Sequence, residues 1–215
     1  MAAVVIAYPP MAGGNHLKNL LCLDSSFANS SDLNTGVYTD PSVQPVGTVH
    51  SVGGRNVHKY LIDAVTADQE KTWLIHGHFG ELAPFRTQLN SLNFKKYIII
   101  TIDTATDKQL LFERQQRLGG TSGHPYYLDE EQQYLYQPSL YETYFESDEI
   151  LTCSISQVLD PDLNRSKIIN QFNNYLNTNI NVSQAQELHT LWWNNNFLTN
   201  SDYVRNFYHG KKESN

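Results

Sequence analysis

"VVIAYPPMAGGNHLKNLL", residues 4–21, decides how this chain is read. The run from Ala3 to Tyr8 is apolar without the polar alternation of a half-exposed strand, which predicts a parallel strand covered on both faces. Pro9 and Pro10 end it, Gly13 and Gly14 follow, and from His16 onward Leu17, Leu20 and Leu21 recur at helical spacing. Strand, glycine turn and amphipathic helix form the opening unit. Such a turn sets main-chain N–H groups at the mouth of a sheet, where unpaired donors and the helix dipole both favour an anion. Glycine lets the backbone approach that anion closely because no Cβ intervenes. A plain tight turn with Asn15 as its cap fits the same residues, and both readings stand at this point.

Working outward, TWLIHGHF (72–79) and YIIITID (97–103) are short, β-branched or aromatic runs that predict two more strands. ILTCSISQVL (150–159) reads as another, and VGTVHSVGG (46–54) as a short strand or hairpin arm before a helix around residues 57–65. Thr106 and Gln109 form a T-x-x-Q capping box ahead of a helix through Leu110, Leu111, Arg114 and Leu118, which Gly119 and Gly120 end. Ile168, Ile169, Phe172, Tyr175 and Leu176 repeat at helical spacing. Ser183 and Gln186 are read as the cap of a last helix bearing Leu188, Leu191 and Trp192. Residues 25–45 carry turn-forming side chains and predict a surface loop; a short helix between Asp129 and Pro138 is expected in the tyrosine-rich segment 124–145.

Strands alternating with helices predict a single α/β domain over residues 1–215, a three-layer fold with a mostly parallel sheet and helices on both faces. In such sheets a ligand sits beyond the carboxyl ends of the strands. The glycine turn, His76, His78 and Asp103 all fall at such ends and are expected to converge.

Bulk properties exclude some functions. A formal net charge of -7 argues against a surface that coats nucleic-acid phosphates, although a local basic pocket stays open. No stretch approaches the roughly 18 consecutive apolar residues of a membrane span. The start MAAVVIAYPP lacks the cationic region of a secretory signal, so a soluble, cytoplasmic protein is expected. With only Cys22 and Cys153, two buried reduced thiols are expected in place of a disulfide or zinc site. Oligomeric state is not legible.

The phosphate-loop pattern G-x-x-x-x-G-K-[ST] is missing, since neither glycine is followed by lysine and a hydroxyl residue. Tyr8, Pro9, the turn and Leu17 nevertheless resemble the Y-P-K-S-G-T-T-W-L motif of sulfotransferases that use 3′-phosphoadenosine 5′-phosphosulfate, with one extra residue. Ile75, His76, Gly77, His78, Phe79 and Gly80 look like that family's I-K-T-H-L-P strand. The short length, "GNHLKNLL" and "ELHTLWW" are similar to compact, phage-encoded members of this P-loop group.

That resemblance implies a donor group held by Pro10, Met11, Ala12, Gly13, Gly14, Asn15, His16, Leu17 and Lys18, with no metal. His78 stands where the family's base takes a proton from an acceptor hydroxyl, and imidazole suits that task at neutral pH. His76 falls where the family has a lysine that stabilises the leaving group. The acceptor would be the hydroxyl of a small molecule or a glycan, with neither nucleic acid nor membrane as partner, in the cytoplasm of the host if the chain is phage-encoded. The chain departs from the family at two cations: Pro10 replaces the loop lysine, and Asp103 stands at the arginine that grips the 3′-phosphate. A carboxylate about 4 Å from a phosphate costs roughly 4 kcal/mol per charge pair at an effective dielectric of about 20. Lys18 or His16 is the candidate substitute for the loop cation and Arg114 or Arg117 for the arginine, while Leu111 stands at the family's serine and Asp107 matches a family aspartate.

Blander readings accompany each feature. "HGH" also fits two hydrogen-bonded histidines at a strand end, or a metal pair lacking a third ligand. His189 and Trp193, four apart on a helix, read as packing residues. The tyrosines of 124–145 fit an acceptor groove or a lid equally well. A nucleotide-dependent kinase of the same fold, or a catalytically degenerate binding or assembly module, are the competing functions.

Overall fold

The protein is described here from a computed structural model. The residues described are 2–9, 12–27, 48–50, 72–78, 82, 86–90, 94–102, 107–108, 111, 149–159 and 165–196. Among these residues five strands form one sheet: β1 (Ala2–Tyr8), β2 (Thr48–His50), β3 (Trp73–His78), β4 (Phe94–Thr101) and β5 (Ile150–Ser154), in spatial order β2-β3-β1-β4-β5. Every pairing is parallel, so each strand needs a crossover to reach the next. The described elements thus make an α/β fold with the opening strand at its centre, between β3 and β4.

Helix α1 (Gly14–Leu21) follows β1, α2 (Arg86–Asn90) lies between β3 and β4, α3 (Ile155–Leu159) follows β5, and α4 (Arg165–Leu176) and α5 (Val182–Asn196) close the described chain. The chain leaves β1 towards the β2 edge and leaves β3 in the opposite direction, towards β4. Right-handed crossovers in opposite directions place their helices on opposite faces. The contacts agree. Val4, Ile6 and Tyr8 share one face with Leu74, Ile98 and Ile100, and cluster with Leu17, Leu20 and Leu21 of α1, Ile168, Ile169 and Phe172 of α4, and Ala185 and Trp192 of α5. On the other face Lys95 Nζ donates to Asn90 O of α2 at 2.6 Å, and the Tyr97 hydroxyl lies 3.4 Å from Asn90 Oδ1. Full burial of a Leu, Ile or Phe contributes about 1.5–3 kcal/mol, and Val5, Ile75, Tyr97 and Ile99 on the second face are as fully buried as the residues of the first.

Three expectations need correction. Residues 150–159 are not one strand: β5 stops at Ser154 and α3 begins at once. The cause is a reciprocal cap, in which Gln157 Oε1 accepts the Ser154 N–H at 2.8 Å and Ser154 Oγ accepts the Gln157 N–H at 3.3 Å. The last helix is capped by Asn181, two residues before Ser183, because Asn181 Oδ1 already accepts the Gln184 N–H at 3.1 Å. Finally, α1 is not amphipathic in its surroundings, since residues 16–22 are all buried, the polar His16, Lys18 and Asn19 included.

Helix α2 has no counterpart in the sequence reading, and β4 begins three residues before Tyr97, taking in Lys95 and Lys96. Lys96 is tolerated there because its ammonium donates to Tyr175 O at 2.6 Å and pairs with Glu149 Oε2 at 3.0 Å. The expected helix at 57–65, most of the loop 25–45, and the segment 124–145 lie outside the described residues. So do Thr106 and Gln109; of the helix expected beyond them, Leu111 is helical, as are Asp107 and Lys108 before it. Both cysteines are buried and reduced. Among the described residues no helix is long and apolar enough to cross a membrane.

Candidate functional site

β1 and β4 are neighbours whose chains depart towards opposite edges of the sheet, so their carboxyl ends flank a topological switch point. In open parallel sheets that is where a crevice forms and ligands bind. The glycine turn occupies this place. Gly13 has φ 82° and ψ 22°, a left-handed conformation open to glycine at little cost, and it is the N-cap of α1. It has no side chain with which to cap, and Asn15, expected as the cap, is instead the second residue of the helix. The Ala12 N–H donates to Pro9 O at 3.0 Å, and the first helical bond runs from the Leu17 N–H to Gly13 O at 2.9 Å. The N–H groups of Gly13 and Gly14 have no hydrogen-bond partner among the described residues.

Gly14 is required for a different reason. A Cβ at this position would overlap the Tyr8 ring, so the turn of the helix sits directly on the last residue of β1. Tyr8 in turn meets both histidines of β3. Ile6 pairs in register with His76 and Tyr8 with His78, placing all three polar rings on one face of the sheet. The Tyr8 hydroxyl and His76 Nδ1 are 3.0 Å apart, with the two rings nearly parallel at 17° and 6.1 Å. The His78 ring meets Tyr8 edge-on, at 86° and 5.2 Å. His76 is fully buried, whereas His78 at the strand's end is half-buried. The sheet register therefore sets His76 and His78 against Tyr8, on which the turn rests; Asp103, the fourth member of the expected convergence, lies outside the described residues.

The remaining candidates divide. The His16, Leu17 and Lys18 side chains are buried in the interior and do not project from the turn. His16 Nε2 and His189 Nδ1 share a hydrogen bond of 2.8 Å, and His16 stacks on Trp192 at 4.1 Å and 11°, so α5 pins the first turn of α1. Desolvation pulls the Lys18 ammonium down from 10.5 to about 8, opposed by Cys22 one turn on, whose own thiol burial pushes up to about 11. Pro10, Met11, Asp103 and Arg114 lie outside the described residues. Asp107 is buried beyond the carboxyl end of β4, where its Oδ1 accepts the Ser156 N–H at 2.7 Å and so helps to start α3.

Sequence reasoning gave Tyr8 no role of its own, and did not anticipate the His16–His189–Trp192 cluster. The signal for Tyr8 was its equal distance from the end of its strand as His78 from the end of β3. The contact of His16 with His189 and Trp192 had none, because His16 lies 173 residues from His189. Trp192 is the stacking partner, while the Trp193 side chain, with which His189 was paired by spacing, lies outside the described set.

Amide donors at the turn suit an anionic group, and the half-buried imidazole of His78 lies against Tyr8, the residue on which the turn rests. Among the described residues no three His, Cys, Asp or Glu side chains are grouped to hold a metal ion. The void between α1, α3, α4 and α5, lined by Leu17, Val158, Phe172 and Ala185, measures about 10 Å³, room for about one water molecule. It is a packing gap and no ligand site. Comparison with protein-family models, curated proteins and solved structures found no match to this chain.

Proposed function

We propose that the carboxyl edge of the sheet holds the anionic end of a nucleotide-type sulfate donor, of the 3′-phosphoadenosine 5′-phosphosulfate kind, and that the protein transfers its sulfuryl group to a hydroxyl acceptor. The observation that carries this reading is the register of β1 on β3, which sets His78 against Tyr8 and, through Tyr8, against the glycine turn at the N-terminus of α1. In the reaction the acceptor oxygen forms a bond to sulfur while the bridging bond from sulfur to the 5′-phosphate oxygen breaks. The hydroxyl proton passes to His78, and the bisphosphate leaves. The Gly13 and Gly14 amides hold negative charge on the donor, the kind of fixed-dipole stabilisation on which such transfers rest.

A second reading is favoured by one specific feature. Pro10 replaces the cation of the turn, and Lys18, the nearest basic residue in sequence, is buried within the fold. A module that binds an anionic ligand without catalysis fits that feature equally well. A kinase of the same fold would need the lysine and hydroxyl that the turn lacks.

Thermal unfolding with 3′-phosphoadenosine 5′-phosphate, with ATP and Mg²⁺, and without ligand separates the three. A ligand at about 100 times its Kd stabilises by about 2.7 kcal/mol. Stabilisation by the bisphosphate alone, with sulfuryl transfer lost in His78→Ala, supports the transferase. Stabilisation with no transfer to any of a panel of hydroxyl acceptors supports the binding module, and a shift with ATP and Mg²⁺ alone supports the kinase. No shift with either ligand refutes the donor site.

A further inference from the structure

We propose that Tyr8 is the positioning residue of this site: its phenol fixes His76 in a single tautomer, and its ring transmits the placement of the glycine turn to His78. The inference deepens the reading above and rests on it for the purpose of the device, though not for the device itself. The Tyr8 side chain meets the turn, His76 and His78 at once. It is bounded by Gly14 along the ring, by His76 through the hydroxyl and the near-parallel stack, and by His78 at the edge. With Tyr8 at 3% exposure and His76 at 0%, water does not compete for the bond between them.

The direction of that bond follows from the chemistry of its two ends. A neutral imidazole N–H is a weaker acid than a phenol, and an imidazole nitrogen is a better acceptor than a phenol oxygen, so the bond runs from the Tyr8 O–H to Nδ1. His76 then carries its proton on Nε2. A hydroxyl whose hydrogen points at Nδ1 also fixes the plane of the phenol, and that plane is what His78 meets edge-on. Since Gly14 offers no Cβ as a cushion, a displacement of the first turn of α1 presses directly on the ring.

The test is ¹⁵N-resolved NMR of the histidine side chains in the full chain, for the native protein, Tyr8→Phe and Tyr8→Leu. Tyr8→Phe retains the ring and its fit against Gly14, so main-chain spectra should stay close to native. In the native protein His76 is expected as the Nε2–H tautomer, by roughly fivefold or more, the effect of one net hydrogen bond. In Tyr8→Phe that preference should fall, with the His78 signals nearly unchanged; in Tyr8→Leu the His78 signals should move as well. A native His76 protonated on Nδ1, or one whose spectrum Tyr8→Phe leaves unaltered, overturns the proposal. Adding 3′-phosphoadenosine 5′-phosphate then tests the function separately. If His76 behaves as described but the bisphosphate moves no histidine signal, the donor reading fails and the role of Tyr8 survives.

Discussion

Replacing Gly14 by alanine tests how closely α1 is fitted to β1. In an open helix the change stabilises by up to about 1 kcal/mol, since alanine loses less backbone entropy. Here the new methyl group overlaps the Tyr8 ring, which cannot swing away while His76, His78 and the surrounding core hold it. Either the first turn of α1 lifts off the sheet or the ring leaves its rotamer, and over-packing of this kind costs about 1–3 kcal/mol. The net expectation is a loss of about 1–2 kcal/mol, which in a chain of this length lowers Tm by roughly 2–8 °C. Urea denaturation followed by tryptophan fluorescence measures it, and a cycle with Tyr8→Ala isolates the contact. Once the ring is removed, Gly14→Ala should become neutral or stabilising. A Gly14→Ala protein as stable as the native one, or a penalty that persists in the Tyr8→Ala background, would refute the reasoning.

Further outcomes follow from the same packing. Lys18 has a folded value of about 8 against 10.5 in the unfolded chain, so the folded state releases its proton first and stability rises with pH from about 8 upward. Cys22 acts in the opposite sense between 9.0 and about 11, because the buried thiol keeps a proton that the unfolded one loses, which leaves pH 8–9 as the clean window. Lys18→Met should flatten the rise there, a slope of at most about 1.4 kcal/mol per pH unit for one proton, and an unchanged pH profile in denaturant melts would contradict the burial of Lys18. Asn173 holds the turn between α4 and α5, its Oδ1 accepting the Ile180 N–H at 2.7 Å and its Nδ2 donating to Ile180 O at 3.0 Å. Asn173→Ala strands both backbone groups and is expected to cost about 1–3 kcal/mol in chemical denaturation; Asn173→Asp, which keeps only the acceptor, should fall between it and the native chain.

Much of the sheet was legible because parallel strands buried on both faces write themselves as unbroken apolar runs. Residues 3–8 and 72–79 mark β1 and β3 to within about one residue at each end. Where polar side chains enter the interior the sequence misleads. Lys95 and Lys96 hide the start of β4: two adjacent charges break the apolar run, and the partners that let Lys96 enter the sheet, Tyr175 O and Glu149, are distant in the chain. The β5–α3 junction was written in Ser154 and Gln157, but the apolar residues around that capping box outweighed it. At the site, the convergence of the turn with His76 and His78 followed from strand ends alone. The burial of His16 and Lys18 did not, because helical periodicity names the apolar face and cannot tell whether the polar face is covered as well.

The most direct test of the account follows the main-chain amide signals of Gly13 and Gly14 while 3′-phosphoadenosine 5′-phosphate is added to the native protein. Both N–H groups are expected to shift downfield and saturate together, as donors do when they take up an anion, with His78 moving along the same binding curve. Amides that stay fixed while the bisphosphate binds elsewhere, or that fail to respond at millimolar ligand, would contradict the claim that this turn is an anion site.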